Sequence, residues 1–304
     1  MAGLPLTVWW NGTDLSAHAT VTRCVVTDRA RGAADETEIE FDGASIWKKW
    51  QPAAGDRVRV DLDGYTTGEM ELATVLPWGR RYRALAAALP SGMRVRRFAC
   101  YSGARLGDIL SAMAGEGGLE WESWGVDGNI RYDFLMRSGM SAAGFLDWLG
   151  EREGFCLKRG KKLQVIGLDW AAALPPADRL WMEAEAENVQ HTLRAAERVS
   201  RLTLKGADCE GAFTDPAAAG GHPEMIPAPV RDPATARRWA RNLCLERNGA
   251  MEEVEIETAF NPAATALCRL DLQGDETVSG GWTVWQARHD LVNGRSALTL
   301  RRAR

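Results

Sequence analysis

Asp56-Arg57-Val58-Arg59-Val60-Asp61-Leu62 alternates without a break. Val58, Val60 and Leu62 fall on one side of an extended chain, and Arg57, Arg59 and Asp61 on the other. The run therefore predicts a strand with one face in a core and one in water. Asp63-Gly64 follows it with residues that tolerate the positive backbone angles of a tight turn. Upstream, residues 4–10 are β-rich and end at Asn11-Gly12, residues 19–28 carry Val21, Cys24, Val25 and Val26, and residues 36–41 alternate up to Asp42-Gly43. Downstream, residues 68–76 and 82–89 continue the pattern. Short strands with turn signals at this spacing predict an antiparallel barrel or sandwich over residues 1–90.

The period then changes. Leu106, Ile109, Leu110 and Met113 form one helical stripe that Gly117-Gly118 ends. Ser141 is a candidate N-cap for a second helix carrying Phe145, Trp148 and Leu149, stopped at Gly154. Residues 155–158 and 163–166, with Gly160 between them, read as a hairpin, and residues 171–177 as a linker. Together residues 91–178 read as a small α+β module. Residues 179–304 return to strands, with an inserted loop and helix at 207–249. Asp232 caps that helix, Pro233 fits its first turn, and Asn248-Gly249 closes it. Its inner stripe is Ala236, Trp239, Ala240, Leu243 and Cys244, with Arg237, Arg238, Arg241 and Arg247 mostly outside. Val254, Ile256, Thr258 and Phe260 then alternate with Glu253, Glu255 and Glu257, and Asn293-Gly294 marks a closing hairpin. The expected class is α+β, predominantly β: two antiparallel β-barrel-like domains flanking a small mixed middle. No short internal repeat is visible, although the two β-rich ends are compatible with distant copies of one design.

At 304 residues the chain is long enough to bury about three quarters of its surface and to divide into domains. No apolar run reaches the length of a membrane span, and Met1–Trp10 lacks the layout of a secretory signal, so a soluble protein without membrane partners is expected. Against 37 Lys+Arg stand 41 Asp+Glu, a net charge of −4 with the signs interleaved, unlike a dedicated nucleic-acid binder. The six cysteines lie far apart with no C-x-x-C, which fits buried small residues rather than a zinc site. His18, His191, His222 and His289 are scattered, and surface or hairpin-end places are expected for them. No metal, cofactor or catalytic set is expected.

Two features remain open to function. Glu183, Glu185 and Glu187, and the row Glu253, Glu255 and Glu257, offer paired carboxylates of the kind that cleave glycosidic bonds, but alternating glutamates normally mark a wet face. The row also suits pairing with the Arg237, Arg238 and Arg241 surface of a neighbouring subunit. Thirteen tryptophans are an excess, with Trp9-Trp10, Trp47 and Trp50, Trp121 and Trp124, and Trp282 and Trp285 in close pairs. Core filling is the first reading. Trp282 and Trp285, three apart on a strand, face opposite ways, so one of them is expected outside the barrel, on a protein contact or a carbohydrate platform.

The order of these features resembles the baseplate hub proteins of contractile phage tails, the late control protein D family. Trp50-Gln51-Pro52-Ala53-Ala54-Gly55-Asp56-Arg57-Val58-Arg59-Val60 and Thr67-Gly68-Glu69-Met70 are similar to that family's first barrel. Leu106-Gly107-Asp108-Ile109-Leu110 and Phe145-Leu146-Asp147-Trp148-Leu149-Gly150-Glu151-Arg152-Glu153-Gly154-Phe155 are similar to its helical middle. The helix over 234–247, Gly280-Gly281-Trp282-Thr283-Val284 and the closing hairpin are similar to its last barrel. The resemblance implies a homotrimer whose two barrels per chain make a pseudo-hexameric ring, adapting a six-fold tail tube to a three-fold spike. It further implies spike, tube or tube-initiator, tape-measure and baseplate wedge proteins as partners, a place in the virion after assembly in the host cytoplasm, and a lumen that passes the genome without binding it. Interface residues expected on this reading are Trp282, Trp285, Arg237, Arg238, Arg241, Glu253, Glu255 and Glu257. A tail-associated peptidoglycan hydrolase or glycan-binding module is the alternative.

Overall fold

The computed structural model describes residues 6–16, 18–32, 34–42, 50–78 and 81–302. The start of the first expected strand and Trp47, expected to pair with Trp50, lie outside the described residues. The first ninety residues give β1 (Thr7–Trp10), β2 (Thr13–Asp14), β3 (Thr20–Arg29), β4 (Glu36–Asp42), β5 (Arg57–Leu62), β6 (Tyr65–Thr66), β7 (Met70–Trp78) and β8 (Arg81–Ala87). The alternation of β5 is realised: Val58, Val60 and Leu62 are buried beside Trp10, Ile39, Phe41 and Leu72. Asn11 and Gly12, and likewise Asp63 and Gly64, all hold positive φ, as two-residue hairpin turns require.

The middle is built from β9 (Arg96–Arg105), α1 (Leu106–Glu116), β10 (Trp121–Trp124), β11 (Arg131–Ser141), α2 (Ala142–Glu153), β12 (Phe155–Arg159), β13 (Leu163–Gly167) and α3 (Leu168–Ala173). Ser141 Oγ accepts from Gly144 N at 3.0 Å, and Gly154 closes α2 in the left-handed conformation. The last part comprises β14 (Asp178–Trp181), α4 (Met182–Glu185), β15 (Ala186–Leu193), β16 (Val199–Lys205), β17 (Glu210–Thr214), β18 (His222–Pro227), α5 (Pro233–Gly249), β19 (Glu252–Ala259), β20 (Arg269–Gln273), β21 (Gly280–Asp290) and β22 (Arg295–Arg302). Asp232 Oδ1 caps α5 by accepting from Thr235 N at 2.7 Å, with Pro233 in the first turn.

The chain is α+β and predominantly β. One sheet of fourteen strands runs β15-β19-β22-β21-β3-β4-β8-β7-β5-β1-β2, with β20 and then β14 branching from β21, and β6 from β5. Within each half the strand order is the same. The first half runs β3-β4-β8-β7-β5-β1 and the second β15-β19-β22-β21-β20-β14. Thus β1, β3, β4, β5, β7 and β8 correspond in turn to β14, β15, β19, β20, β21 and β22. The register shifts recur at matching places, between Val21/Arg23 and Glu187/Gln190, and between Leu72/Thr74 and Val284/Gln286. One strand breaks the match: β1 is antiparallel to β5, whereas β14 is parallel to β20. Each half encloses its own core, the first around Trp10 and Phe41, the second around Trp282, Ile256, Leu270 and Leu300.

Three expectations need correction. The part of the 207–249 insert ahead of its helix, expected as a loop, is not irregular: β17 and β18 flank β16 in a three-stranded sheet. The glycines that read as loop are close-approach points. A Cβ on Gly211 would lie 2.3 Å from the backbone nitrogen of Arg237, and one on Gly221 2.2 Å from the Arg198 carbonyl. Second, this insert does not share the second half's core. Leu202, Leu204, Ala236, Trp239 and Cys244 pack in one cluster with Leu106, Ile109, Phe145 and Leu149 of the middle. Third, the stretch read as a linker begins inside α3, whose Ala171 is buried against Ala30, Cys156, Ala266 and Leu267. Its alanines favour helix, and Pro175-Pro176 lie beyond its end.

Candidate functional site

The joint between the two halves is the most constructed place in the molecule. β21 is shared lengthwise. Residues 280–283 pair with β20, whereas residues 286–290 pair antiparallel with β3, Gln286 opposite Arg29 and Asp290 opposite Val25. Ala30 N donates to Trp285 O at 2.9 Å and Leu291 N to Cys24 O at 2.9 Å, one bond beyond each end of the ladder. Leu291 enters the first core although it follows a strand of the second half. His289, expected at a surface or hairpin end, is instead fully buried. Its ring meets Tyr65 and Phe260 edge-on at 5.4 Å each, and its Nδ1 lies 2.8 Å from Ser296 Oγ. Burial holds its pKa below the ordinary histidine value, so the imidazole is neutral at pH 7.

The middle module is bound to this joint by charge. Lys158, on β12, pairs with Asp28 of β3 and lies 3.0 Å from Asp35, while its ammonium also donates to Arg29 O at 2.8 Å. Asp28 Oδ2 accepts from Ala266 N at 2.8 Å, so one carboxylate touches both halves and the middle. Burial pushes the Asp28 carboxyl up, but Lys158 and the hydrogen bonds outweigh it and leave the pKa below its usual value. Burial likewise raises Asp35, and with the neighbouring Asp28 charge it prevails over Lys158, bringing the group to about 6. Burial lowers Lys158, but the two carboxylates more than reverse this. Nearby, Arg31 reaches Glu246 at 2.7 Å and donates to Asp147 O and Phe155 O at 3.2 and 3.0 Å. A cavity of about 360 Å³ remains between the three parts, bordered by Asp35, Tyr65, Lys158, Trp170, Thr265 and Ala266. Its Asp28, Asp35 and Lys158 are engaged with one another and its Arg159 with the Gly160 and Ala88 carbonyls, which suits a structural joint better than a reacting centre.

The eight residues expected at interfaces are placed as follows. Trp282 is fully buried in the second core, its indole N–H donating to Val278 O at 2.6 Å, so it faces no partner. Trp285 lies at the register shift outside the second core, but it packs within the chain beside Leu168 and Ala171, with the Arg301 guanidinium 4.1 Å over its ring. Arg238 is bound to the buried Glu153 at 2.7 Å, Arg241 reaches Asp169 at 2.8 Å, and Arg237 is exposed. Glu253 bridges Arg194 and Arg301, Glu257 pairs with Arg295, and Glu255 is exposed on the same strand. Among the described residues these arginines and glutamates make no ion pair with one another within the chain; the pairing expected of them is between copies. Sequence reasoning missed Asp28, Asp35, Lys158 and Arg31, which stand in alternating or turn-like stretches where a charge ordinarily means solvent.

Open edges complete the picture. Among the described residues, β15 pairs only with β19, and β7 beyond Leu72 pairs only with β8. Val189 and Leu193 of β15 are 45% and 53% exposed, and Leu76 of β7 is 46% exposed. The β9–β11 ribbon carries Phe98 and Met136 on its outer side.

No family model matches the sequence, and no curated protein matches it. Solved structures do match in fold. A tail protein of the MuSo2 prophage from Shewanella oneidensis aligns with a TM-score of 0.73 at 11% identity, over 98% of this chain and 96% of its own. A tail protein from Neisseria meningitidis aligns at 0.78 and 14% identity over the same shares. An Escherichia coli component of the type VI secretion system aligns at 0.64 and 10% identity, over 96% of this chain and 76% of its own. From end to end, the chain has the fold of phage tail proteins and of a type VI secretion component.

Proposed function

We propose that the protein is a structural hub of a phage or phage-like contractile tail. Three copies form a ring of six barrel-like units that adapts a six-fold tube to a three-fold spike. The observation that carries this reading is the repeated strand order of the two halves and their edge-to-edge joint within one chain. A unit that already joins its own copy through a strand edge is suited to join a neighbour similarly. The likeness to tail proteins over nearly the whole chain supports the same reading. On it, the partners are the spike, the tube or its initiator, the tape-measure protein and the baseplate wedges. The ring stands in the virion's baseplate, and the genome passes through its lumen without being bound.

We infer a non-enzymatic role. Glu253, offered above as one of a catalytic pair, is held between two arginines, and Glu255 lies on the wet side of β19. Native mass spectrometry tests the hub reading: three times the chain mass is expected, and a single chain across micromolar concentrations overturns it. Incubation with peptidoglycan tests the alternative. No soluble muropeptides are expected, and their release, lost on Glu253→Gln or Glu255→Gln, would establish the hydrolase instead.

A further inference from the structure

We infer that neighbouring copies join by adding the open half of β7 in one copy to the outer edge of β15 in the next. This rests on the ring reading above and specifies its contact. Within the chain, β21 joins β3. By the correspondence of the halves, β7 is the counterpart of β21 and β15 the counterpart of β3. The two remaining members of that relation are therefore β7 and β15, and both present unpaired edges among the described residues.

The details of β7 repeat those of β21. In β21 the register shift at Val284/Gln286 separates the part paired with β20 from the part given to β3. In β7 the shift at Leu72/Thr74 separates the part paired with β5 from residues 74–78, which have β8 on one side only. Each free half is five residues long, matching the five pairs of the β3–β21 ladder. Pro77 supplies no donor, which an edge position tolerates. On the other strand, Val189 and Leu193 leave large apolar side chains in water, and the sequence of β15 itself holds no lysine to block its edge. The occupant is a second copy of this chain, because the complementary edge belongs to the same polypeptide. Each copy offers one edge of each kind, so contacts run head to tail and end only when the ring closes.

The experiment compares the wild type with a Val189→Lys/Leu193→Lys variant by native mass spectrometry and light scattering. Both side chains are exposed, and unchanged circular dichroism and Tm verify the fold. The wild type is expected at three chain masses and the variant at one. A variant that remains trimeric overturns the β7–β15 joint and leaves the ring reading standing, whereas a monomeric wild type overturns both. As a second measurement, Leu76→Cys and Leu193→Cys are combined in a Cys100→Ser background and treated with a short bis-maleimide. Covalent dimers and trimers are expected from the double variant and only monomers from either single variant. A trimer that the reagent does not link overturns the joint.

Discussion

The two halves share a strand order and differ in what their strands are made to face. β1 and β14 are counterparts, and both end in tryptophan. Trp10 is fully buried and donates to Asp56 at 2.9 Å, whereas Trp181 is 52% exposed. The cause is direction: β1 runs antiparallel to its neighbour and β14 parallel, so the terminal side chains of equivalent strands meet different surroundings. The largest effect expected follows from this contrast. Trp10→Ala should destabilise the chain by about 3–5 kcal/mol, as removal of a fully packed aromatic does, and Trp181→Ala by about 0.5 kcal/mol or less. Urea denaturation of both variants measures it. Equal losses would mean that the halves do not differ in this way.

The joint that is made and the joint that is open also differ, in charge. β3 meets β21 over the Lys158, Asp28 and Asp35 group, whereas the open edges carry apolar side chains. Lys158→Ala leaves two carboxylates buried without their cation and should cost about 3 kcal/mol. Lys158→Met with Asp28→Asn and Asp35→Asn should recover most of it, because the unpaired charges are gone. Failure of the triple variant to recover would show that the group acts through shape rather than charge.

The same group gives a pH signature. Folded, Asp35 keeps its proton up to about pH 6, whereas unfolded it releases it near about pH 4. Between these values the folded state binds more protons, so through Asp35 stability rises as pH falls from 7 towards 4. Asp28 acts in the opposite sense and lower. Its folded pKa is depressed, so its contribution is present above about pH 4 and is lost as pH falls through the depressed value. Between pH 7 and pH 5 the wild type should therefore gain stability relative to Asp35→Asn, by no more than about 1.4 kcal/mol per pH unit, since the buried neutral His289, which acts in the opposite sense, is common to both. Parallel profiles would remove Asp35 from the account.

Much of the fold was legible because its signals are local. The alternation of β5, the cap and inner stripe of α5 and the turn at Asn11-Gly12 depend on residues within a few positions of one another. The joint was not, because Asp28 and Lys158 are 130 residues apart and each alone looks like the wet side of a strand. The duplication was equally hidden: it resides in the order of strands in space, while the connections differ. Residues 30–35 suffice between β3 and β4, whereas β15 and β19 enclose a second sheet and α5. Gly211 and Gly221 disguised that insert as a loop, since nothing in one sequence distinguishes a glycine that bends from one that admits a neighbouring backbone.

That insert allows the smallest effects to sharpen the comparison, since it is what the second half has and the first lacks. Two arginines on α5 both reach carboxylates of the middle module, in different surroundings. Glu153 is fully buried and accepts from Arg238 at 2.7 and 3.1 Å, from Tyr132 Oη at 2.8 Å and from Trp239 Nε1 at 2.5 Å. Arg241 and Asp169 are 42% and 61% exposed. Arg238→Ala strips a buried carboxylate of its cation and should cost about 2 kcal/mol, the Tyr132 and Trp239 donors limiting the loss. Arg241→Ala removes a pair that water already screens and should change stability by about 0.5 kcal/mol or less. If thermal or urea melts rank the two the other way, α5 is anchored by its outer rim, and the insert belongs to the middle module less firmly than their common core implies.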